Sequence, residues 1–440
     1  MKMQGRRLAA VMVALAMVAG ACGNDDDDDV AVAVGCDGEI PDDATIEIWW
    51  HEGQEAEVRL METFVEEFNA SQDEVTASLT LVPEADYAAQ LRGAAASGDL
   101  PDVVDTDASF AFNYAWSGDL QPIGTCLDAE LRDDLLPSIL EQGEYAGQLW
   151  AVGMFDSGLG AYVRPSILEE AGIRIPTGPN DAWTVDEFDE ALAALRDAGF
   201  ERPLDLKKNY GQGEYYSYLY QPFVWSGGGD LLAPDGSTAD GFLNSDASVA
   251  ALARFQAWHE EGYVDDNEDD AAFIEGRTPI SFVGHWEFVR YTDTFGDDVA
   301  IVPLPDFGEG TVSGQGSWQW AVSSRVDADA AWQFIEFTLE PEQMRRMTDA
   351  NGAIPARSSV AEQVEAFAPG GQAELFLEQL EGGFTRPRPP HPVYATLSSA
   401  FNQAIQEIID GEDVQVALDR AVAVIDQDIS DNEGYPEPEF

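Results

Sequence analysis

Lysine is almost missing from this chain. Apart from Lys2, only Lys207 and Lys208 occur among 440 residues, and all other bases are arginine. In total 22 bases face 83 acids, for a formal net charge of −61. Binding a polyanion needs clustered Lys and Arg, so nucleic acid and anionic lipid surfaces are excluded as partners. Cysteine is equally scarce. The three are Cys22, Cys36 and Cys126, and no C-x-x-C occurs, which removes zinc-ribbon and thioredoxin chemistry. No serine has glycine two places before it, so there is no nucleophile elbow. No lysine follows a glycine, so there is no Walker A loop. His51, His259, His285 and His391 lie far apart and form no H-E-x-x-H. Nothing calls for a metal or a cofactor, and the chain reads as a non-enzyme. Carboxylates are so abundant, however, that counting alone cannot exclude a glycosidase pair.

What is present is enough apolar material, 45% of residues, for a globular protein, and a length that calls for two lobes or domains. Residues 1–21 read as an export signal. Lys2, Arg6 and Arg7 precede an apolar run, 8–18, that is too short to span a bilayer, and Ala19-Gly20-Ala21 follow it. Ala19 to Cys22 resembles the lipobox of bacterial lipoproteins, with Ala19 where that motif usually has leucine. The resemblance implies that Cys22 is diacylated and becomes the mature N-terminus. Residues 22–44, with the aspartate run 25–29, read as a solvated tether because consecutive like charges repel. In an oxidising compartment Cys36 and Cys126 are a disulfide candidate, two free thiols being the alternative. The acid excess reads as a carboxylate-rich surface suited to salty surroundings.

Along the chain, residues 45–50 alternate as a strand and His51-Glu52-Gly53 reads as the loop after it. A helix with apolar spacing from Val58 to Phe68, a strand at 75–82, a helix at 87–97 and a short strand at 102–105 follow. Strand–helix alternation argues for an α/β sheet, whose ligands sit at the carboxyl ends of its strands, here His51-Glu52 and 105–109. Residues 147–188 hold two apolar strands around a polar break, 153–158, read as a crossing from one sheet to another. Thr184 with Glu187 gives a capping box. Residues 210–225 are dense in aromatics. Residues 265–276 fail as a calcium loop, with Asp270 where glycine is needed and Gly276 where glutamate belongs, so a solvated turn is expected. Strands are expected at 279–284, 299–305 and 314–322, a turn at 351–357, helices at 393–410 and 414–427, and a frayed acidic tail at 431–440.

The order of several short motifs resembles family 1 extracellular solute-binding proteins of ABC importers, the maltose and multiple-sugar group. They are IEIWWH (46–51), SGDLPDVVD (97–105), GQLWAVG (147–153), AYVRPSILEEAGI (161–173), WTVDEF (183–188), GRTPISFVGHW (276–286), VPLP (302–305), GSWQWAVS (316–323) and GAIPAR (352–357). The resemblance covers residues 45–428. It implies a two-lobed periplasmic-binding-protein-like fold of type II with a three-segment hinge, crossing near 153–158, 303–305 and 339–341. Lobe 1 would be 45–155 with 304–340, and lobe 2 would be 156–303 with 341–430. Gly153 stands where that family commonly has proline. The resemblance further implies an extracytoplasmic, lipid-anchored monomer that closes on a di- or oligosaccharide and delivers it to a membrane permease. A cationic or phosphorylated solute is the alternative ligand, and a secreted glycoside-active enzyme a more distant one. Sugar sites need flat aromatics and short polar side chains. The candidates at predicted strand ends and cleft loops are Trp49, His51, Glu52, Asp107, Asp156, Ser157, Trp225, Trp286, Glu287, Ser317, Trp318, Arg386 and Tyr394. Among the tryptophans, Trp49 and Trp320 are the expected core members. Asp156 and Ser157 are either hinge or ligand contacts.

Overall fold

The expected strand–helix alternation builds two sheets. A computed structural model of the chain describes residues 35–36 and 38–437. The signal, Cys22 and the aspartate run lie outside the described residues. The first sheet has the order Val75–Pro83, Ala44–Glu52, Val103–Asp107, Trp318–Ser323, Leu120–Gln121, with Ala151–Val152 also paired to Trp318–Ser323. Its first three strands are parallel and Trp318–Ser323 runs antiparallel to Val103–Asp107. The helices Glu55–Ser71 and Glu84–Ser97 make the crossovers between the parallel strands. The second sheet has the order Val264–Asp265, Leu204–Asp205, Ile280–Gly284, Leu159–Val163, Ala300–Val302. All five residues of Leu159–Val163 and of Ile280–Gly284 are buried, which is why neither reads as an alternating strand.

Short strand pairs join the two sheets. Phe155–Asp156, inside the polar break, pairs antiparallel with Ile354–Pro355, and Ser313–Gln315 pairs with Thr385–Pro387. The segment 351–357, expected as a turn, therefore contains a hinge strand. The other two crossings also lie further along the chain than the motifs suggest. Leu304 is buried in the core of the second sheet, and Asp306 exchanges backbone hydrogen bonds with Trp183 and Val185. The chain thus leaves the second sheet only at Ser313–Gln315, not at 303–305. The helix Pro341–Asn351 stays with the first sheet. Its Met344 and Met347 are buried with Ile46 and Phe64, and Asn351 and Arg346 bond to Glu57 and Glu67 of Glu55–Ser71. Gly153 fits by its small size, since a Cβ there would lie 3.0 Å from the Trp318 carbonyl oxygen and 3.1 Å from that of Phe155.

Thr184 caps Val185–Asp197 in a complete capping box with Glu187. The aromatic stretch becomes the helix Glu214–Ser226, buried at every position from Tyr216 onward. Cys36 and Cys126 are bridged across 90 residues. The tail is not frayed as far as it is described. The last helix, Val414–Asp431, runs on past residue 427, and Tyr435 is buried beyond it. The Tyr435 hydroxyl donates to Asp428 at 2.6 Å, its ring meets Trp116 edge-on, and the Trp116 indole donates to the Pro436 carbonyl.

Candidate functional site

The parallel strands of the first sheet end in a cluster built on His51. Strand Ala44–Glu52 extends through His51 and Glu52, so these residues end a strand and do not form the loop after it. His51 is 3% exposed, and its Nδ1 lies 2.5 Å from Asp105 Oδ2 on the neighbouring strand. Burial opposes its charge, but the Asp105 carboxylate outweighs this, with help from Glu57 and Glu84, and holds the imidazole up at about 9. Burial also pushes the Asp105 carboxyl up, to about 6, with His51 pulling against it. The pair is therefore an imidazolium and a carboxylate at neutral pH. The half-buried Trp318 indole lies flat on this imidazolium, ring centroids 3.8 Å apart and planes 9° apart. Tyr87 stands edge-on to both rings. Gly53 leaves room for this cluster, because a Cβ there would come within 2.9 Å of His51 Nε2 and of Glu57 Oε2.

The matching ends of the second sheet are tied into an ion network. Lys207, Asn267 and Asp270 all have left-handed backbones, with φ of 51°, 49° and 54°. Lys207 Nζ donates to Asp270 at 2.8 Å and to Glu287 at 3.1 Å. Burial works against this ammonium, but Tyr210, Glu287, Asp205 and Asp270 more than offset it and raise its pKa. Asp266 pairs with Arg202 and Lys208, Asp269 with Arg277, and Asp270 also with Arg290. The acidic segment is an exposed turn at Asp266, Glu268 and Asp269, as expected, and is also tied to bases 8 to 64 residues away in sequence. Among the described residues no cluster of three or more His, Cys, Asp or Glu is arranged to hold a metal ion. The network also fixes Trp286: its indole donates to the Tyr210 hydroxyl at 3.1 Å, and that hydroxyl donates to Glu287 at 3.0 Å.

The expected site residues divide accordingly. His51, Asp107, Ser317 and Trp318 meet at the edge of the first sheet, and Trp286 stands at that of the second. Trp49 is half-exposed with its indole donating to Glu47, so it is not the core residue expected; Trp320 is, at 1% exposure. Glu52 is exposed beside them. Ser317 is held at both backbone groups, by Gln142 and by Ala108, and its buried Oγ has no partner among the described residues. Six candidates belong elsewhere. Asp156 is wholly buried and accepts from Gln142 and from the Ser157 amide, so with Ser157 it organises the hinge strand. Glu287 is consumed by Lys207, Tyr210 and Arg290. Tyr394 is fully buried, with its hydroxyl on Glu214. Trp225 is 5% exposed beneath Arg386, which pairs with Asp230.

The sequence reading left Tyr87, Tyr210, Glu214 and Arg388 out of its site. Tyr87 and Tyr210 carry no signal that separates them from core aromatics. Glu214 is one acid among 83. Arg388 shares a proline-rich stretch with Arg386, which the sequence reading did include. Burial pushes the Glu214 carboxyl up to about 7, with Arg388 opposing and Asp107 adding to the rise. A cavity of about 150 Å³ lies beside Arg388, lined also by Ser109, Phe112, Gln142, Gln315 and Gly316.

Two α/β sheets joined by hinge strands, with an aromatic and polar edge on each, define a two-lobed binding protein. The chain belongs to the bacterial extracellular solute-binding protein family, whose model matches residues 63–370. It is 24% identical over 330 residues to the maltotriose-binding protein of Pyrococcus abyssi, covering 72% of this chain and 67% of that protein. It is 24% identical over 234 residues to a maltooligosaccharide ABC transporter solute-binding lipoprotein of Streptococcus pneumoniae, covering 50% and 53%. Among solved structures, the cyclic alpha-maltosyl-1,6-maltose binding protein of Arthrobacter globiformis superposes with a TM-score of 0.71 at 25% identity, over 88% of this chain and all of that one. No described helix is long and apolar enough to cross a membrane.

Proposed function

We propose that this protein captures a di- or oligosaccharide between its two sheets and delivers it to the membrane subunits of an ABC importer. The observation that carries this reading is the Trp318 indole, held flat at a sheet edge by an imidazolium on one face and only half-buried. An aromatic plane fixed in this way suits the apolar face of a pyranose ring, and Trp286 supplies a second plane. Ser317 offers a hydroxyl without a partner among the described residues, exposed Glu52 lies beside it, and Trp49 borders them. The hinge strand pairs allow closure by population shift. The sugar-binding relatives support this ligand class, and nothing in the site favours a polyamine or a phosphorylated solute. We read the protein as a monomer without catalytic activity, anchored through Cys22 at the outer face of the membrane, as the lipoprotein relative and the lipobox suggest.

The reading is tested by thermal shift of the purified protein against maltose, maltotriose, other di- and trisaccharides, spermidine and glycerol phosphate. Stabilisation by one or more of the sugars, with the sugar recovered intact, is expected. A shift with spermidine or glycerol phosphate alone would replace the ligand class, and release of monosaccharide would make the protein a hydrolase.

A further inference from the structure

Arg388 follows the hinge strand Thr385–Pro387 and is buried, its side chain 2% exposed. Its Nη1 donates to Asp107 Oδ2 at 2.8 Å, and its Nη2 makes an ion pair with Asp107 Oδ1 at 2.7 Å outside hydrogen-bond geometry. The same Nη1 donates to Glu214 Oε1 at 2.8 Å. The two carboxylates come from different halves of the protein. Asp107 ends a strand of the first sheet, whereas Glu214 opens the helix whose Leu219, Phe223 and Val224 fill the core of the second. Glu214 is further fixed on its own side by the hydroxyls of Tyr394 and Ser398. Tyr218 lies under the guanidinium, with its ring centroid 5.1 Å away. Gly316 is cut to fit this arginine, since a Cβ there would fall 2.2 Å from Nη2.

A planar guanidinium can hold two carboxylates in fixed geometry where an ammonium cannot. Without it the bridge between Asp107 and Glu214 is lost, and removing one member of a buried ion pair leaves an uncompensated charge. We propose that Arg388 is the positioning residue that locks the first sheet to the second by bridging Asp107 and Glu214. The proposal rests on the two-lobed binding reading. Arg388 sets the open–closed balance that the ligand works against, and ligand affinity follows that balance.

The test compares wild-type protein with R388Q, R388K and the triple variant D107N/E214Q/R388Q, by small-angle scattering without ligand and by titration with the sugar that gives the largest thermal shift. R388Q is expected to have a larger radius of gyration and at least tenfold weaker affinity. The triple variant removes the same bridge without leaving a buried charge unpaired, and is expected to keep the larger radius of R388Q. R388K keeps the charge but loses the planar guanidinium, and is expected between wild type and R388Q. A folded R388Q with the wild-type radius and affinity overturns the proposal. Should R388Q fail to fold by circular dichroism, R388K decides in its place, and an R388K with unchanged radius is equally fatal. The scattering arm needs no ligand. A protein that binds none of the sugars therefore sinks the carbohydrate reading while leaving the lock to be judged on its own.

Discussion

The Trp318 indole and the His51 imidazole lie parallel at 3.8 Å, with Asp105 holding the imidazole from its other side. A cation stacked on an aromatic face fixes the ring without covering both of its sides. In the proposed site, W318A should weaken sugar binding by roughly 5- to 30-fold, corresponding to about 1–2 kcal/mol, with little change in melting temperature. W225A should do the opposite. That ring is buried under Arg386, and losing it should cost about 3–5 kcal/mol of stability and leave the affinity of folded protein near wild type. Isothermal titration and chemical denaturation of both variants separate the two effects. Equal affinity losses in both would show that Trp225 belongs to the site.

The His51–Asp105 pair carries a pH signature. The Asp105 carboxylate holds His51 up at about 9 in the folded protein, against 6.5 for a solvated histidine, so the folded state binds the proton more tightly. Its contribution is complete below about pH 6.5 and is lost as pH rises toward 9. The total is on the order of 3 kcal/mol. Urea midpoints measured from pH 6 to 10 should fall across that window, and fall less in H51Q. Parallel declines in both proteins would assign the pH dependence to other groups.

His285 predicts the reverse dependence. It is buried, and burial alone pulls its pKa down to about 3 from 6.5. A depressed base stabilises the fold above about pH 6.5 and loses that stability as pH falls toward 3. H285F should therefore lose less stability than wild type between pH 6.5 and 4. If the two proteins lose stability in step over that range, protonation of His285 has no part in acid unfolding.

The Cys36–Cys126 bridge closes a loop of 90 residues. Chain-entropy arguments give such a crosslink about 3–5 kcal/mol. Mass spectrometry without reductant should show the mature protein two hydrogens lighter than its reduced form, and C36S/C126S should melt lower by several degrees. Equal melting temperatures would show that the first sheet holds Cys36 in place without the bond.

Net charge makes a separate prediction. At −61 the folded state is strained by repulsion acting over distances that salt screens, whereas its local ion pairs are weakened by the same salt. Long-range repulsion should dominate, so raising NaCl from about 0.05 to about 1 M should increase the melting temperature. A decrease would mean that local pairs such as Lys207–Glu287 carry more of the stability than repulsion removes.

How much of this was legible depends on the range of each interaction. Period-two strands such as Ala44–Glu52, and the crossing at 153–158, follow from neighbouring residues and can be read locally. Ile354–Pro355 looks like a turn because its pairing with Phe155–Asp156 spans about 200 residues. The segment 265–270 is a largely exposed turn, as its composition suggests, but its tie to Lys207, 63 residues before Asp270, cannot be read locally. Trp318 could be named as an aromatic at a strand end, but His51 beneath it and the Arg388 bridge depend on which strands become neighbours. Asp156 looked like a polar break open to ligand. Its burial is fixed by Gln142 and by the strand across the hinge.

The disulfide also sets a length. With Cys22 as the proposed anchor, only 13 residues lie between the lipidated residue and Cys36, which is fastened beside the first sheet. Fully stretched, they reach about 50 Å. Under the proposed anchoring the bridge would act as a leash stop that limits the free tether to that length, and a proposed permease partner would be met in a short-range search at the high local concentration of a tethered partner.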